Sequence, residues 1–188
     1  MTAFSIAPSE PVVIPDPAAP EAVSALAFAL ERPQDGPAVD DLIDRAFGPG
    51  RYAKTAERLR EGGLLLRGMS ICAWEGERLV GAVRQWRVLI GETSAVFLGP
   101  FAVAHDWRNR GLGRSLIRRA GVLADAAGER LTLLVGDQAY FVPLGYEPVP
   151  PGRAALPGPV DPRRVLWRAG AEAAFEGVSG AVRIPPER

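Results

Sequence analysis

The stretch FAVAHDWRNRGLGRSLIRRAG, residues 101–121, decides how this chain is read. A short apolar run ends in a polar turn, and Gly111 and Gly113 then open a segment with helical spacing. Leu112, Leu116, Ile117, Ala120, Leu123 and Ala124 recur on one stripe of it, while Arg114, Arg118 and Arg119 fall mostly off that stripe. The first N–H groups of a helix lack internal partners and carry the positive end of its dipole. Glycines remove the side chains that would keep a ligand away, so the turn suits a phosphate or pyrophosphate. A tight turn that needs glycine only for its backbone is the alternative reading of these residues alone.

Upstream of this stretch the period is that of strands. Runs rich in Val, Ile, Leu and Trp, punctuated by EGER and GET, predict an antiparallel meander over residues 64–74, 78–90 and 95–104. Gly99-Pro100 lies in the third run, and a proline there calls for a bulge or an edge. Earlier still, a strand is expected near 26–31. A helix follows from Pro37 with Val39, Leu42, Ile43 and Phe47 on one face, and a second helix over 52–61 ends at Gly62 and Gly63.

Downstream, LTLLV (131–135) reads as a buried strand, DQAYFVPLG as a short helix or turn, Tyr146 as the start of another strand and RRVLWRA as the last one. Residues 1–24, rich in Pro and Ala without sustained period, read as a flexible N-terminal tail that can lie extended on the body, and 25–188 as a single domain.

The bulk composition excludes several classes. The 188 residues are 47% apolar and 23% charged with zero formal net charge, so no global field draws nucleic acid or an acidic membrane. One cysteine, Cys72, and one histidine, His105, leave no disulfide framework and no ordinary zinc site within one chain. No Lys or Arg precedes Arg32 to make a basic leader, and no apolar run spans a bilayer, so a cytoplasmic location is expected. A P-loop is absent, and Leu116 stands where a dinucleotide fingerprint needs glycine, which disfavours a phosphotransferase or nucleotide binder.

Arg-x-x-Gly-x-Gly after a bulged strand and opening an amphipathic helix resembles the acetyl-CoA motif of the GNAT superfamily of acyl-CoA N-acyltransferases. The resemblance covers about residues 26–168 and includes LTLLVGDQAYFVPLGYEP, with an ending similar to a bacterial N-acetyltransferase subgroup. It implies an α/β (α+β) fold: a mixed, mostly antiparallel sheet with helices on both faces, splayed between strands four and five. It also implies acetyl-CoA as cosubstrate, no metal, and a small-molecule or peptide amine as acceptor in a monomer or homodimer. Backbone groups of Phe101 and Val103 would pair with the pantetheine arm. Arg108, Asn109, Arg110, Gly111, Leu112 and Gly113, with Arg114 and Ser115 next, would hold the pyrophosphate. A backbone N–H of strand four would polarise the thioester carbonyl.

The family often takes its general acid from a tyrosine four residues before the glycine of its GF motif. In this chain that glycine is Gly145, Phe141 holds the tyrosine position and Tyr140 precedes it. Tyr140 is therefore the candidate catalytic residue from a shifted register, with unaided departure of the thiolate as the alternative. Asp137, Glu147, Glu75, Glu77 and His105 are general bases by type only, and Arg51 and Tyr52 are acceptor-pocket candidates. Two functions stay open: N-acetyl transfer to a primary amine by direct attack, and a non-catalytic acyl-CoA-binding homologue that acts as a sensor or interaction module.

Overall fold

The computed structural model describes residues 11–48, 50, 55–170 and 174–186. The chain begins with α1 (Glu21–Ser24), β1 (Ala27–Leu30) and α2 (Gly36–Phe47), followed by β2 (Ile71–Glu75), β3 (Arg78–Ile90) and β4 (Thr93–Val103). Then come α3 (Leu112–Ala126), β5 (Leu131–Val135), α4 (Gln138–Phe141), β6 (Glu147–Pro148), β7 (Ala154–Ala155), β8 (Val165–Ala169) and β9 (Gly180–Arg183). The sheet runs β1-β2-β3-β4-β5-β8-β6, with β9 beside the far end of β3 and β7 on β9. Within that run only β4 and β5 pair in parallel. This is the mixed, mostly antiparallel sheet that the family resemblance implied.

Side-chain alternation gives each face of the sheet its helix. In β2, Ile71 and Ala73 join Leu112, Leu116, Ile117 and Ala120 of α3 in one core cluster, whereas Cys72 and Trp74 join Val39, Leu42 and Ile43 of α2 in another. Each fully buried Leu or Ile in these clusters contributes about 1.5–3 kcal/mol. Cys72 is thus a packed strand residue, and burial pushes its thiol well above the usual range. Arg84 of β3 fixes the start of α2: it meets Glu31 at 2.8 Å and Asp40 at 2.6 Å, and Glu31 is itself buried. Removing one member of such a pair costs about 3–5 kcal/mol, because the other charge stays buried.

Several expectations need correction. Residues 64–70 contribute one isolated bridge, Leu65 to Trp86, and a 3-10 turn at Arg67–Met69 instead of a strand. There the Ser70 hydroxyl donates to the Leu66 carbonyl and accepts the Gln85 N–H, taking groups a ladder would have used. The expected helix at 52–61 is a 3-10 segment, Thr55–Leu59, and its first residues fall outside those described. The strand expected from Tyr146 shrinks to Glu147–Pro148, because the Tyr146 N–H turns back to the Phe141 carbonyl at 3.3 Å instead of joining a ladder. RRVLWRA is not the last strand, since Gly180–Arg183 adds to the far end of β3.

Of the expected tail, residues 11–24 lie against the body. Val12 donates its N–H to the Phe28 carbonyl, and Ile14, Val23 and the Asp16 side chain are buried. Apolar anchors spaced by prolines carry no helix or strand period, which is why the sequence concealed them. Among the described residues no helix is long and apolar enough to cross a membrane.

Candidate active site

Strands β4 and β5 pair at only two positions, Val96 with Thr132 and Phe97 with Leu133. Immediately beyond, Gly99 and Pro100 together face Arg84 of β3, forming a bulge with a cis Gly99–Pro100 peptide bond. From Leu98 to Val103 the β4 edge away from β3 has no strand partner among the described residues. A cavity of about 640 Å³ opens there, lined by Leu98–Phe101 on one side and Leu134–Asp137 on the other. A second hollow of about 660 Å³ continues from it, past Val103 and Arg108, to Gly111, Gly113 and Arg114. Phe47, Phe101 and Tyr140 line both, so the two make one cleft.

The glycine turn meets the helix as the spacing predicted. Asn109 has φ 60° and Gly111 has φ 86°, and Gly111 is the residue that leads into α3. Asparagine and glycine tolerate that left-handed region best. The two glycines answer different needs. Gly111 needs its φ, while at Gly113 a β-carbon would lie 2.7 Å from the Tyr140 hydroxyl and 3.5 Å from the Phe101 ring.

Phe101, Val103, Arg108, Asn109, Gly111, Gly113, Arg114 and Tyr140 are therefore brought together on one cleft. Leu112 and Ser115 turn their side chains inward, and Arg110 lies 5.4 Å over the Trp107 ring. What Leu112 and Ser115 offer the cleft is main chain alone.

Tyr140 and Phe141 part company. Phe141 is buried and packs so tightly on Gly136 that a β-carbon there would sit 2.2 Å from its ring. Tyr140 is half-buried in the cleft, its ring stacked on Phe101 at 6.0 Å with the Arg114 guanidinium 5.8 Å away. Desolvation raises the pKa of its hydroxyl against the opposing charges of Arg114 and Arg118, so the group is protonated at neutral pH. That hydroxyl rests against Gly113, at the loop end of the cleft.

Of the general-base candidates only Asp137 lines the cleft, where it caps α4 by accepting the Ala139 N–H at 2.8 Å. Glu147 meets the Trp167 indole at 3.3 Å, and Glu75 pairs with Arg78 across the β2–β3 turn. His105 lines a neighbouring groove with Arg78 and Glu77. Arg51 and Tyr52 lie outside the described residues.

The sequence reading missed the outer wall. Thr55, Ala56 and Arg60 meet Pro159, Val160, Asp161 and Arg164 across the mouth of the cavity. The Thr55 hydroxyl donates to the Pro159 carbonyl, and Arg58 donates to the Pro157 carbonyl at 2.8 Å. The Arg60 guanidinium reaches in over Phe97 and comes within 3.1 Å of where a β-carbon on Gly99 would be.

The same architecture occurs in known proteins. The sequence profile described as "Acetyltransferase (GNAT) family" matches residues 37–139. The chain is 30% identical over 120 residues to the uncharacterized N-acetyltransferase YhbS of Escherichia coli (strain K12), covering 63% of this chain and 71% of that one. The crystal structure of YhbS from Escherichia coli in complex with CoA superposes with a TM-score of 0.74 at 27% identity, over 85% of this chain and 89% of that one. A GNAT family acetyltransferase from Brucella melitensis in complex with acetyl-CoA gives a TM-score of 0.52 at 26% identity, over 80% and 98%. The chain belongs to the acetyltransferase (GNAT) family and is an acetyl-CoA-dependent N-acetyltransferase.

Proposed function

We propose that the cleft holds acetyl-CoA along β4 and that a primary amine on a small molecule or peptide attacks its thioester directly at the splay. The observation that carries this reading is the unpartnered β4 edge, which opens at Gly99–Pro100 and runs unbroken to the glycine turn. Phe101 and Val103 offer main-chain groups to an extended amide-bearing arm, as an added strand would use them. The N–H groups from Arg108 to Gly113, with those of Arg114 and Ser115, converge on a pyrophosphate at the N-terminus of α3. Gly113 makes room there for the Tyr140 hydroxyl, which a β-carbon would meet at 2.7 Å.

Acetyl-CoA supplies the activated acyl group. The protein's part is to hold it and to aim a β4 N–H at the carbonyl oxygen. Arg60, Asp137, Asp161 and Arg164 all line the acceptor mouth, and Arg60 is paired with Glu57 at 3.0 Å, so the mouth carries charges of both signs for the acceptor to meet. Tyr140, its hydroxyl lying against Gly113, serves as a cofactor contact. Its second reading is the proton donor to the departing thiolate, favoured because burial keeps it protonated and it also lines the splayed cavity. A cytoplasmic location goes with this reading, because a buried lone thiol suits a reducing compartment.

Thermal stability with CoA, beside free-thiol release from acetyl-CoA over a panel of amines, tests the proposal. A hundredfold excess of CoA over Kd should add about 2.7 kcal/mol. No stabilisation by CoA removes the cleft assignment. Stabilisation without thiol release on any amine favours the non-catalytic reading.

A further inference from the structure

On the far side of the glycine turn from the cleft, residues 15–20 cross the first turns of α3. The Asp16 carboxylate is wholly buried there and takes two hydrogen bonds from Arg118, at 2.7 and 3.0 Å. Arg118 also donates to the Ala18 carbonyl at 3.3 Å. The Ser115 hydroxyl donates to Asp16 and accepts from Arg119 at 3.1 Å, while the Arg119 guanidinium lies 4.0 Å over the Phe28 ring of β1. One carboxylate from the start of the chain thereby organises three side chains in the first two turns of α3.

Pro20 completes the contact. A β-carbon on Gly111 would lie 2.8 Å from its ring, so the segment abuts the residue that turns the chain into the helix. None of residues 15–20 lines the cleft, whereas Arg114, one helical turn before Arg118, does. Three prolines, Pro15, Pro17 and Pro20, limit the conformations the segment can take when free, so less freedom is lost when it docks.

We propose that Asp16 is a positioning residue for the cofactor loop, and that the segment 15–20 braces the glycine turn from behind. The inference rests on the reading of that turn as the pyrophosphate site. Converging N–H donors bind an anion well only if they are held in place before it arrives. The Asp16–Arg118 pair, with the carboxylate shielded and the guanidinium 28% exposed, supplies that fixity.

The sign of the effect separates this role from two others. Asp16 is a negative charge near an anion site, so removing it would strengthen CoA binding if only its field mattered. If it served stability alone, the folded variant would bind CoA unchanged. A positioning role predicts weaker binding. The experiment compares wild type, Asp16→Asn and Pro20→Ala by calorimetry with CoA and with pantetheine, which lacks the pyrophosphate, and by initial rates, all well below each melting temperature.

Asp16→Asn is expected to weaken CoA binding about tenfold, as loss of a buried charged hydrogen-bond set would. Its kcat should stay within about twofold of wild type and its pantetheine affinity should not change. Pro20→Ala, at an exposed position and without change of charge, should act in the same direction at about threefold, within the reach of lost preorganisation. Should Asp16→Asn fail to fold, Pro20→Ala carries the test. Unchanged or tighter CoA binding in both variants overturns the brace, as does an equal loss for pantetheine. A wild type that binds CoA no better than pantetheine overturns the pyrophosphate reading and the brace with it, whereas a wild-type preference for CoA that both variants keep overturns the brace alone.

Discussion

Replacing Tyr140 by phenylalanine removes one oxygen from the cleft and leaves its walls standing. The ring keeps its stacking on Phe101 at 6.0 Å and its contact with Phe141 at 5.0 Å, so the fold should tolerate the change. The lost hydroxyl is the group resting on Gly113, beside the N-terminus of α3, where a phosphate would sit. A hydrogen bond to a charged group contributes about 1.5–3 kcal/mol, or roughly 10- to 100-fold in affinity. The KM for acetyl-CoA should therefore rise by at least about tenfold, while kcat stays within about threefold. Initial rates of thiol release at saturating amine, with acetyl-CoA varied, give both numbers, and CoA calorimetry checks that KM tracks binding. The opposite split would refute the reasoning: kcat down about 100-fold with KM unmoved is the signature of a lost general acid. That result would mean the side chain swings from Gly113 to the leaving sulfur during turnover.

Other perturbations have equally definite outcomes. Gly113→Val should abolish CoA binding in calorimetry yet barely move the melting temperature, because the nearest atom its side chain meets is the far end of Tyr140. Gly136→Ala displaces the Phe141 ring, which would lie 2.2 Å from the new carbon; overpacking of this kind costs about 1–3 kcal/mol, roughly 2–12 °C in a chain of this size, by calorimetric scan. Starting the chain at Glu21 should lower the melting temperature by about 5 °C or more, because Ile14 alone contributes about 1.5–3 kcal/mol when buried.

Acid titration reads the Asp16 contact. Burial alone would raise its pKa, but hydrogen bonds from Arg118 and Ser115 and the Arg118 charge outweigh burial and hold it below 3.8. A depressed carboxylate contributes stability that is complete above its unfolded value and lost as pH falls through the folded one. Wild type should therefore lose stability more steeply than Asp16→Asn below about pH 4, as followed by denaturant midpoints.

The half of the site built on period and turn chemistry was legible in the sequence. Leu112, Leu116 and Ile117 announce α3 by their spacing, and Gly111 and Gly113 mark its mouth. Gly99-Pro100 marks the break in β4 because proline has no N–H to give the ladder. The pair Tyr140-Phe141 was visible as a pair, but one residue is about 100° of helix, and only packing on Gly136 decides which ring turns inward. The outer wall of the cavity was illegible because it rests on bonds between residues about a hundred positions apart, Thr55 to Pro159 and Arg58 to Pro157. The segment at 11–20 was illegible for the opposite reason: single anchors, Ile14 and Asp16, stand among prolines that read as disorder.

The unpartnered edge of β4 has a consequence for how this enzyme tolerates change. If the groups that grip acetyl-CoA are peptide N–H and C=O, they survive almost any exchange of the residue that bears them. Val103→Ala would then leave CoA affinity nearly unchanged, because the main chain at that position is the same. Damaging substitutions should cluster at glycines, where bulk intrudes, and at supports such as Arg84 and Asp16 that do not line the cleft. On the proposed reading, a lineage carrying this fold is free to redraft the 55–60 and 157–164 wall for a new amine while the donor half stays the same, since the two halves are written in different parts of the chain.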